Sequence, residues 1–194
     1  FIKAESNSTK LTYAHVLGMM GDATGASALA NAVSSTEWDE GWRYKAMGQF
    51  GACMSPLDSL IIALGRTKSP LAVKPILTKV SLLSTNSEFS HFRALAIALE
   101  TLGDKAAAKP LAKVLQMPGV RGHAVTSIQG ALENNPASGT DNVTRERAMR
   151  ELYLARALYR CGDHRGLGRK ILQQYAQDLH GLYARHAQAV LKGQ

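Results

Sequence analysis

One short pattern recurs four times along the 194 residues and constrains the fold more than any other feature. Each copy has an apolar helical segment, a stop residue suited to a left-handed backbone, and a residue that can cap the next helix. The stop and cap pairs are Gly21-Asp22, Lys68-Ser69, Gly103-Asp104 and Gly162-Asp163. The stops are 47, 35 and 59 residues apart. A repeat of two helices and about 40–47 residues, with insertions in the longer intervals, is therefore predicted.

The residues around each stop predict how the two helices of a repeat meet. A leucine stands four residues before every stop, so one face of the first helix carries the core. A small residue stands four residues after every stop and allows two helices to approach closely; these are Gly25, Ala72, Ala107 and Gly166. Pro75 and Pro110 share one register and predict a bend, or a short first turn, before the main second helix. At Lys68, where the other repeats have glycine, we expect some backbone strain.

The amino-acid composition favours helices and gives the chain a net positive charge. Alanine and leucine supply 52 residues, whereas valine and isoleucine supply only 16, and this balance favours helix over sheet. The longest apolar runs, such as residues 60–64, are far too short to span a membrane. The formal charge is +8, and residues 145–170 hold eight Lys or Arg against three acidic residues. Pairs at i,i+4, such as Glu146 with Arg150, favour a solvated helix face there, so nucleic acid is not an expected partner.

The segment Leu-Gly-Asp-x-x-Ala-x-x-Pro-Leu at residues 102–111 resembles the HEAT repeat, particularly its phycobilisome-lyase-like variety. Such repeats stack into an α-solenoid, in which each repeat buries its apolar face on the next. The resemblance implies an all-α solenoid of about four helical hairpins, formed by residues 1–194 as a single domain. Two inserted loops are expected, near residues 35–54 and 117–143.

A narrower resemblance runs from Leu11 to Ala187. The blocks that carry it are residues 47–51, 54–66, 87–91, 122–125 and 154–164. They are similar to the C-terminal helical domain of large bacterial FAD-dependent oxidoreductases, which place a flavin-binding domain N-terminal to this part. The resemblance implies a non-catalytic domain that packs on that flavin domain or completes its substrate side. Such proteins are often exported, which favours a periplasmic or secreted location.

The sequence contains no recognisable catalytic, cofactor-binding or metal-binding motif. Gly166-Leu167-Gly168 lacks the third glycine of a nucleotide fingerprint and follows no predicted strand, so FAD is expected in the longer parent and not in this chain. The six histidines are scattered, and Cys53 and Cys161 have no zinc-binding spacing. We therefore predict no catalytic, cofactor-binding or metal-binding residue here.

The first insertion is the strongest candidate for a binding surface. Residues 38–50 contain four of the twelve aromatic residues of the chain, together with glycines and charges of both signs. Segments of this kind often bind partners, although a small satellite core is the equally weighted alternative. The predicted interface residues are Trp38, Asp39, Trp42, Arg43, Tyr44, Gln49 and Phe50.

Two further functions remain open at this point. One is a free-standing scaffold that binds a peptide or an acidic protein partner. The other is a bilin-lyase-like protein that handles a tetrapyrrole. A flavin domain of the same polypeptide, or another protein, is accordingly the expected partner, and no membrane is.

Overall fold

A computed structural model describes residues 6–39, 55–133 and 142–193. Ten α-helices and three short 3-10 turns make up its regular structure, and no strand occurs in these ranges. The helices are α1 Asn7–Met19, α2 Ala26–Ser35, α3 Pro56–Arg66, α4 Val73–Ser81, α5 Phe89–Leu102, α6 Ala108–Leu115, α7 Ile128–Glu133, α8 Asn142–Arg160, α9 Leu167–Tyr175 and α10 Gly181–Leu191. The 3-10 turns are Pro70–Ala72, Lys105–Ala107 and His164–Gly166.

The helices form two layers. In the first layer α1 packs on α3, α3 on α5, and α5 on α8. In the second layer α2 packs on α4 and α4 on α6, and α6 reaches α9 through the turn His164–Gly166. Helix α10 closes on α9 and α8. The predicted all-α solenoid of about four hairpins is therefore confirmed, with α1–α2, α3–α4, α5–α6 and α8–α9 as the hairpins.

A single apolar core runs between the layers. Three of the four predicted leucines, Leu64, Leu99 and Leu158, are fully buried in it, and Leu17 is half-buried. The small residue after the stop brings the helices close, because a Cβ added at Gly25 would lie 2.5 Å from the Ala14 Cβ. In the first repeat, this small residue allows α1 and α2 of one hairpin to pack closely.

The fourth repeat departs from the predicted register. Gly166 is exposed, and an added Cβ would meet nothing within 4 Å, so the prediction of a close helix approach at Gly166 is wrong. Gly168 makes that approach instead, with an added Cβ 2.9 Å from the Ala155 main-chain oxygen. The physical reason is the turn itself: Asp163 and Arg165 have φ of +49° and +55°, and this left-handed excursion displaces the close approach by two residues.

The stop and cap residues act largely as predicted. Gly21, Gly103 and Gly162 have positive φ, and Lys68 adopts φ +51° in their place. Asp22, Ser69 and Asp104 each accept a hydrogen bond from the backbone N–H two residues later, which satisfies the start of the next segment. A 3-10 turn precedes both α4 and α6, so Pro75 and Pro110 mark a short first turn and not a bend.

Candidate functional site

Trp38 begins the predicted aromatic interface and lies against the core. Its ring stacks on His91 of α5, with centroids 4.1 Å apart and planes at 27°. The Lys79 ammonium lies 5.6 Å from the indole centroid, and Lys79 donates a hydrogen bond to the main-chain oxygen of Thr36. The indole Nε1 is buried and has no hydrogen-bond partner in the part of the chain that the structure describes.

His91 links this tryptophan to α3. Its Nδ1 lies 2.8 Å from Oδ1 of Asp58, a fully buried carboxylate in the first turn of α3, and its Nε2 lies 3.2 Å from the main-chain oxygen of Asp39. Burial lowers the pKa of His91, but the hydrogen bonds and charges of Asp58 and Asp39 outweigh it and raise that pKa above its ordinary value. Asp39 also accepts a hydrogen bond from the Leu57 N–H at 3.2 Å. We call Trp38, Asp39, Asp58, Lys79 and His91 the His91 cluster.

The His91 cluster fixes the start of the first insertion to α3 and α5. Trp38 and Asp39 are both half-buried in it and therefore have packing contacts. The other five predicted interface residues, Trp42, Arg43, Tyr44, Gln49 and Phe50, lie outside the described residues. The binding role of the whole segment stays a prediction.

Helix α1 presents an apolar stripe that sequence reasoning missed. Tyr13, Val16 and Met20 lie at i, i+3 and i+7 and are 49%, 51% and 79% exposed. The opposite side of α1 faces α3, where a nitrogen of the His15 ring lies 2.7 Å from the Ser59 hydroxyl. Contiguous apolar patches on a protein surface mark interaction sites, and these three residues share one side of the helix. The spacing was readable from the sequence, but the packing side of α1 was not.

A second surface lies between α8 and α10. It is a cavity of about 390 Å³ lined by Arg145, Met149, Leu152, Tyr153, His180, Leu182, Tyr183 and His186. This volume falls within the roughly 300–1,000 Å³ range of small-molecule sites.

Arg156 contacts two of the residues that line this cavity. It lies 5.0 Å from the Tyr153 ring centroid, forms an ion pair with Glu100 at 2.5 Å, and its Nη1 donates to Nε2 of His186 at 3.2 Å. Burial, followed by the charges of Arg156 and Arg160, lowers the pKa of His186, so this imidazole is neutral and accepts the hydrogen bond. The cavity therefore combines aromatic walls with a cationic rim at Arg145.

The described residues contain no cluster that could hold a metal ion, and their one described cysteine is unreactive. Within them, no three His, Cys, Asp or Glu side chains come together to hold a metal ion. Burial, with a smaller contribution from Asp104, raises the pKa of Cys161 to about 11, so its thiol stays protonated and packs as an apolar group. No helix within these ranges is long and apolar enough to cross a membrane.

Comparison with known proteins agrees with the fold. No protein-family model and no curated protein matches the chain. A chain in the solved complex of CpcE and CpcF of phycocyanin lyase from Nostoc sp. PCC7120 matches with 22% identity and a TM-score of 0.55. The match covers 100% of this chain and 63% of that chain, so this chain spans less than two thirds of its length. The likeness shows a helical-repeat fold of the kind that the phycobilisome-lyase-like resemblance implies.

Proposed function

We propose that this chain is a non-catalytic helical-repeat module that binds a protein partner, and that the partner packs on the α1 stripe. The exposed row of Tyr13, Val16 and Met20 carries the proposal. The solved structure that shares the fold is a complex of two proteins, which supports a protein partner.

The physical reason is the position of α1 in the solenoid. Helices α3 and α5 are covered on both sides by first-layer neighbours, whereas α1 packs against α3 on one side only among the described helices. A solenoid end that faces water needs a polar outer surface. The side chains of the α1 stripe are instead apolar, and covering the exposed part of each contributes about 1 kcal/mol or more.

Thiol labelling tests the proposal directly. With Cys53 changed to Ser and Cys161 left buried, Val16→Cys provides a reporter in the stripe, and Gln173→Cys provides a control on α9. We expect Val16→Cys to react quickly in the isolated chain and at least tenfold more slowly in the intact natural gene product or its purified complex. The control should react equally in both. Equal labelling of Val16→Cys in the two states would show that no partner covers the stripe.

We further propose the flavin domain of a FAD-dependent oxidoreductase as the partner on this stripe. The sequence blocks described above support this identity. The test is the coding sequence that precedes Phe1, which is expected to encode a strand followed by a G-x-G-x-x-G turn. If the preceding sequence encodes a different domain, the partner is not a flavin domain. The proposal that a protein partner packs on the α1 stripe would be unaffected.

A bilin-lyase-like function is the second candidate, and the cavity between α8 and α10 favours it. Tyr153 and Tyr183 supply flat apolar walls and Arg145 a cation for a propionate group, and the fold is shared with a phycocyanin lyase chain. The test is titration with biliverdin, which should shift its visible absorbance on binding. Arg145→Glu should abolish the shift, and Arg147→Glu, the same charge change on an exposed residue of α8, should preserve it. An unchanged spectrum, or equal loss in both variants, would exclude the cavity as a tetrapyrrole site.

A further inference from the structure

The two layers of the solenoid differ in charge. The second-layer helices α2, α4, α6 and α9 contain six lysine and arginine residues and no aspartate or glutamate. Five of the six are exposed; they are Lys74, Lys109, Lys113, Arg169 and Lys170. The first layer, in contrast, holds the acidic residues Asp58, Glu100, Glu146 and Glu151. The second-layer helices therefore carry their cations without a carboxylate in the same helix, whereas the cations of α3, α5 and α8 in the first layer share their helices with acidic residues.

A groove of about 540 Å³ lies in this basic layer, between α4, α6 and the turn His164–Gly166. Its accessible apolar lining comes from Leu77 of α4 and from Pro110 and Met117 on the α6 side, and the buried core residues Val80, Ala112 and Val114 lie beneath them. These positions follow helical spacing, so they form a strip along the two helices. We call this surface the α4–α6 groove.

Cations border the α4–α6 groove. Lys109 and Lys113 lie one helical turn apart on α6, and His164 and Arg165 lie in the facing turn. No aspartate or glutamate of the described ranges lines the groove. The nearest acid along the chain, Asp163, accepts hydrogen bonds from the N–H groups of Gly168 and Arg169 and thereby caps α9. Within the described ranges, Lys109, Lys113 and Arg165 have no carboxylate partner.

We infer that the α4–α6 groove docks an acidic amphipathic helix of a protein partner. The apolar strip receives the apolar face of that helix, and Lys109, Lys113 and Arg165 meet carboxylates on its flanks. This surface lies in the second layer, whereas the α1 stripe belongs to the first. The inference therefore does not depend on the proposed function.

The lining of the groove favours a helix over single-stranded nucleic acid. Nucleic acid without sequence preference is held by a cationic track together with aromatic side chains on which bases stack. The groove has the cations, but among the residues that the structure describes its lining includes no tryptophan, tyrosine or phenylalanine. Leucine and methionine suit an apolar helix face, and methionine adapts to varied partners.

Fluorescence anisotropy with a synthetic peptide tests the inference on the full chain. The probe is a labelled peptide of about 18 residues, or five helical turns, with leucine at i, i+3, i+4 and i+7 and glutamate on both flanks. We expect saturable binding that weakens as salt rises. A scrambled peptide of the same composition has no apolar face and should bind at least tenfold more weakly.

Two groove variants and one matched control separate docking from general attraction. Lys109→Glu with Lys113→Glu should weaken binding by about tenfold or more. Met117→Gln changes the apolar strip without a change of charge and should also weaken it. The control is Lys74→Glu with Lys170→Glu, which makes the same charge change on exposed second-layer residues outside the groove lining, and it should retain most of the affinity.

Three results would overturn the inference. The first is equal binding of the scrambled peptide, and the second is equal weakening by the groove pair and the control pair. The third is tighter binding of a single-stranded oligonucleotide of the same net charge than of the peptide. Unchanged melting temperatures of all variants verify that the comparison is made on folded protein.

Discussion

Replacing Gly65 by alanine should separate two helices at the centre of the first layer. Gly65 lies in the last turn of α3, where an added Cβ would be 2.5 Å from the Cα of Ala98 and 2.6 Å from its Cβ. Apolar carbons that touch stay about 3.5–4.0 Å apart, so α3 and α5 must move apart locally by about 1 Å. Because one of the two atoms belongs to the backbone of α5, no rotamer change can relieve the overlap.

The magnitude follows from two opposing effects. Overpacking of this kind costs about 1–3 kcal/mol, and sometimes more. Alanine is intrinsically better than glycine in a helix by up to about 1 kcal/mol, which offsets part of that cost. We therefore expect Gly65→Ala to lower the free energy of unfolding by about 1–2 kcal/mol. With a typical urea dependence, the unfolding midpoint followed by circular dichroism falls by roughly 0.5–1 M.

Two further variants make this test specific. Gly181→Ala, at the first residue of α10, places the new carbon 3.3 Å from a flexible Arg185 nitrogen, so its midpoint should stay the same or rise. Combining Gly65→Ala with Ala98→Gly removes the overlap with the methyl group of residue 98 but leaves the overlap with its backbone, so part of the lost stability should return. A Gly65→Ala protein as stable as the wild type, with an unchanged urea dependence, would refute the close packing of α3 on α5.

Three more predictions concern single side chains. Burial lowers the pKa of His91, but Asp58 holds it above its ordinary value. The pair therefore stabilises the fold fully below about pH 6.5 and less as the pH rises through the pKa of the folded state. His91→Gln should flatten the pH dependence of the urea midpoint in that range. Tyr175→Phe removes a buried hydroxyl 3.0 Å from the Glu151 carboxylate and should lower the free energy of unfolding by about 1–2 kcal/mol, and an unchanged value would show that the hydrogen bond contributes nothing. Lys68→Gly relieves a side chain held at φ +51° and should raise the melting temperature, with a stabilisation of about 0.5–1 kcal/mol; a fall would contradict the strain.

The repeat could be predicted from the sequence because it depends on local chemistry. A stop residue, a cap and a leucine one helical turn earlier are sequence neighbours, so their spacing alone predicts the hairpin. Lys68 is an example. Its position in the repeat predicts a left-handed backbone, and the structure has φ +51° there. Gly166 shows the limit of such reasoning. Three residues of its turn beyond the stop, Asp163, Arg165 and Gly166, have positive φ, and Gly168 makes the close approach instead. The repeat pattern does not predict this conformation.

The candidate sites depend on contacts between distant residues, so the sequence predicted them only in part. Trp38 was recognised as unusual, but its partner His91 is 53 residues away along the chain, and no local pattern connects them. The α1 stripe is a spacing of apolar residues that any amphipathic helix shows. Only the neighbour relations of α1 show that no other described first-layer helix packs on the side opposite α3.

The basic second layer could have been predicted from the sequence if charge had been summed over alternate helices. The overall excess of positive charge drew attention to residues 145–170, in α8 and α9, where acidic residues at i,i+4 partly neutralise it. Sorting the helices into first and second members of each hairpin instead gives a second set without a single acidic residue. In a solenoid, alternate helices share a face, so charge must be summed over alternate helices and not along the chain. In this protein that sum gives two cations each to α4, α6 and α9 and no acidic residue to any of them. The two cations of α6, Lys109 and Lys113, line the α4–α6 groove.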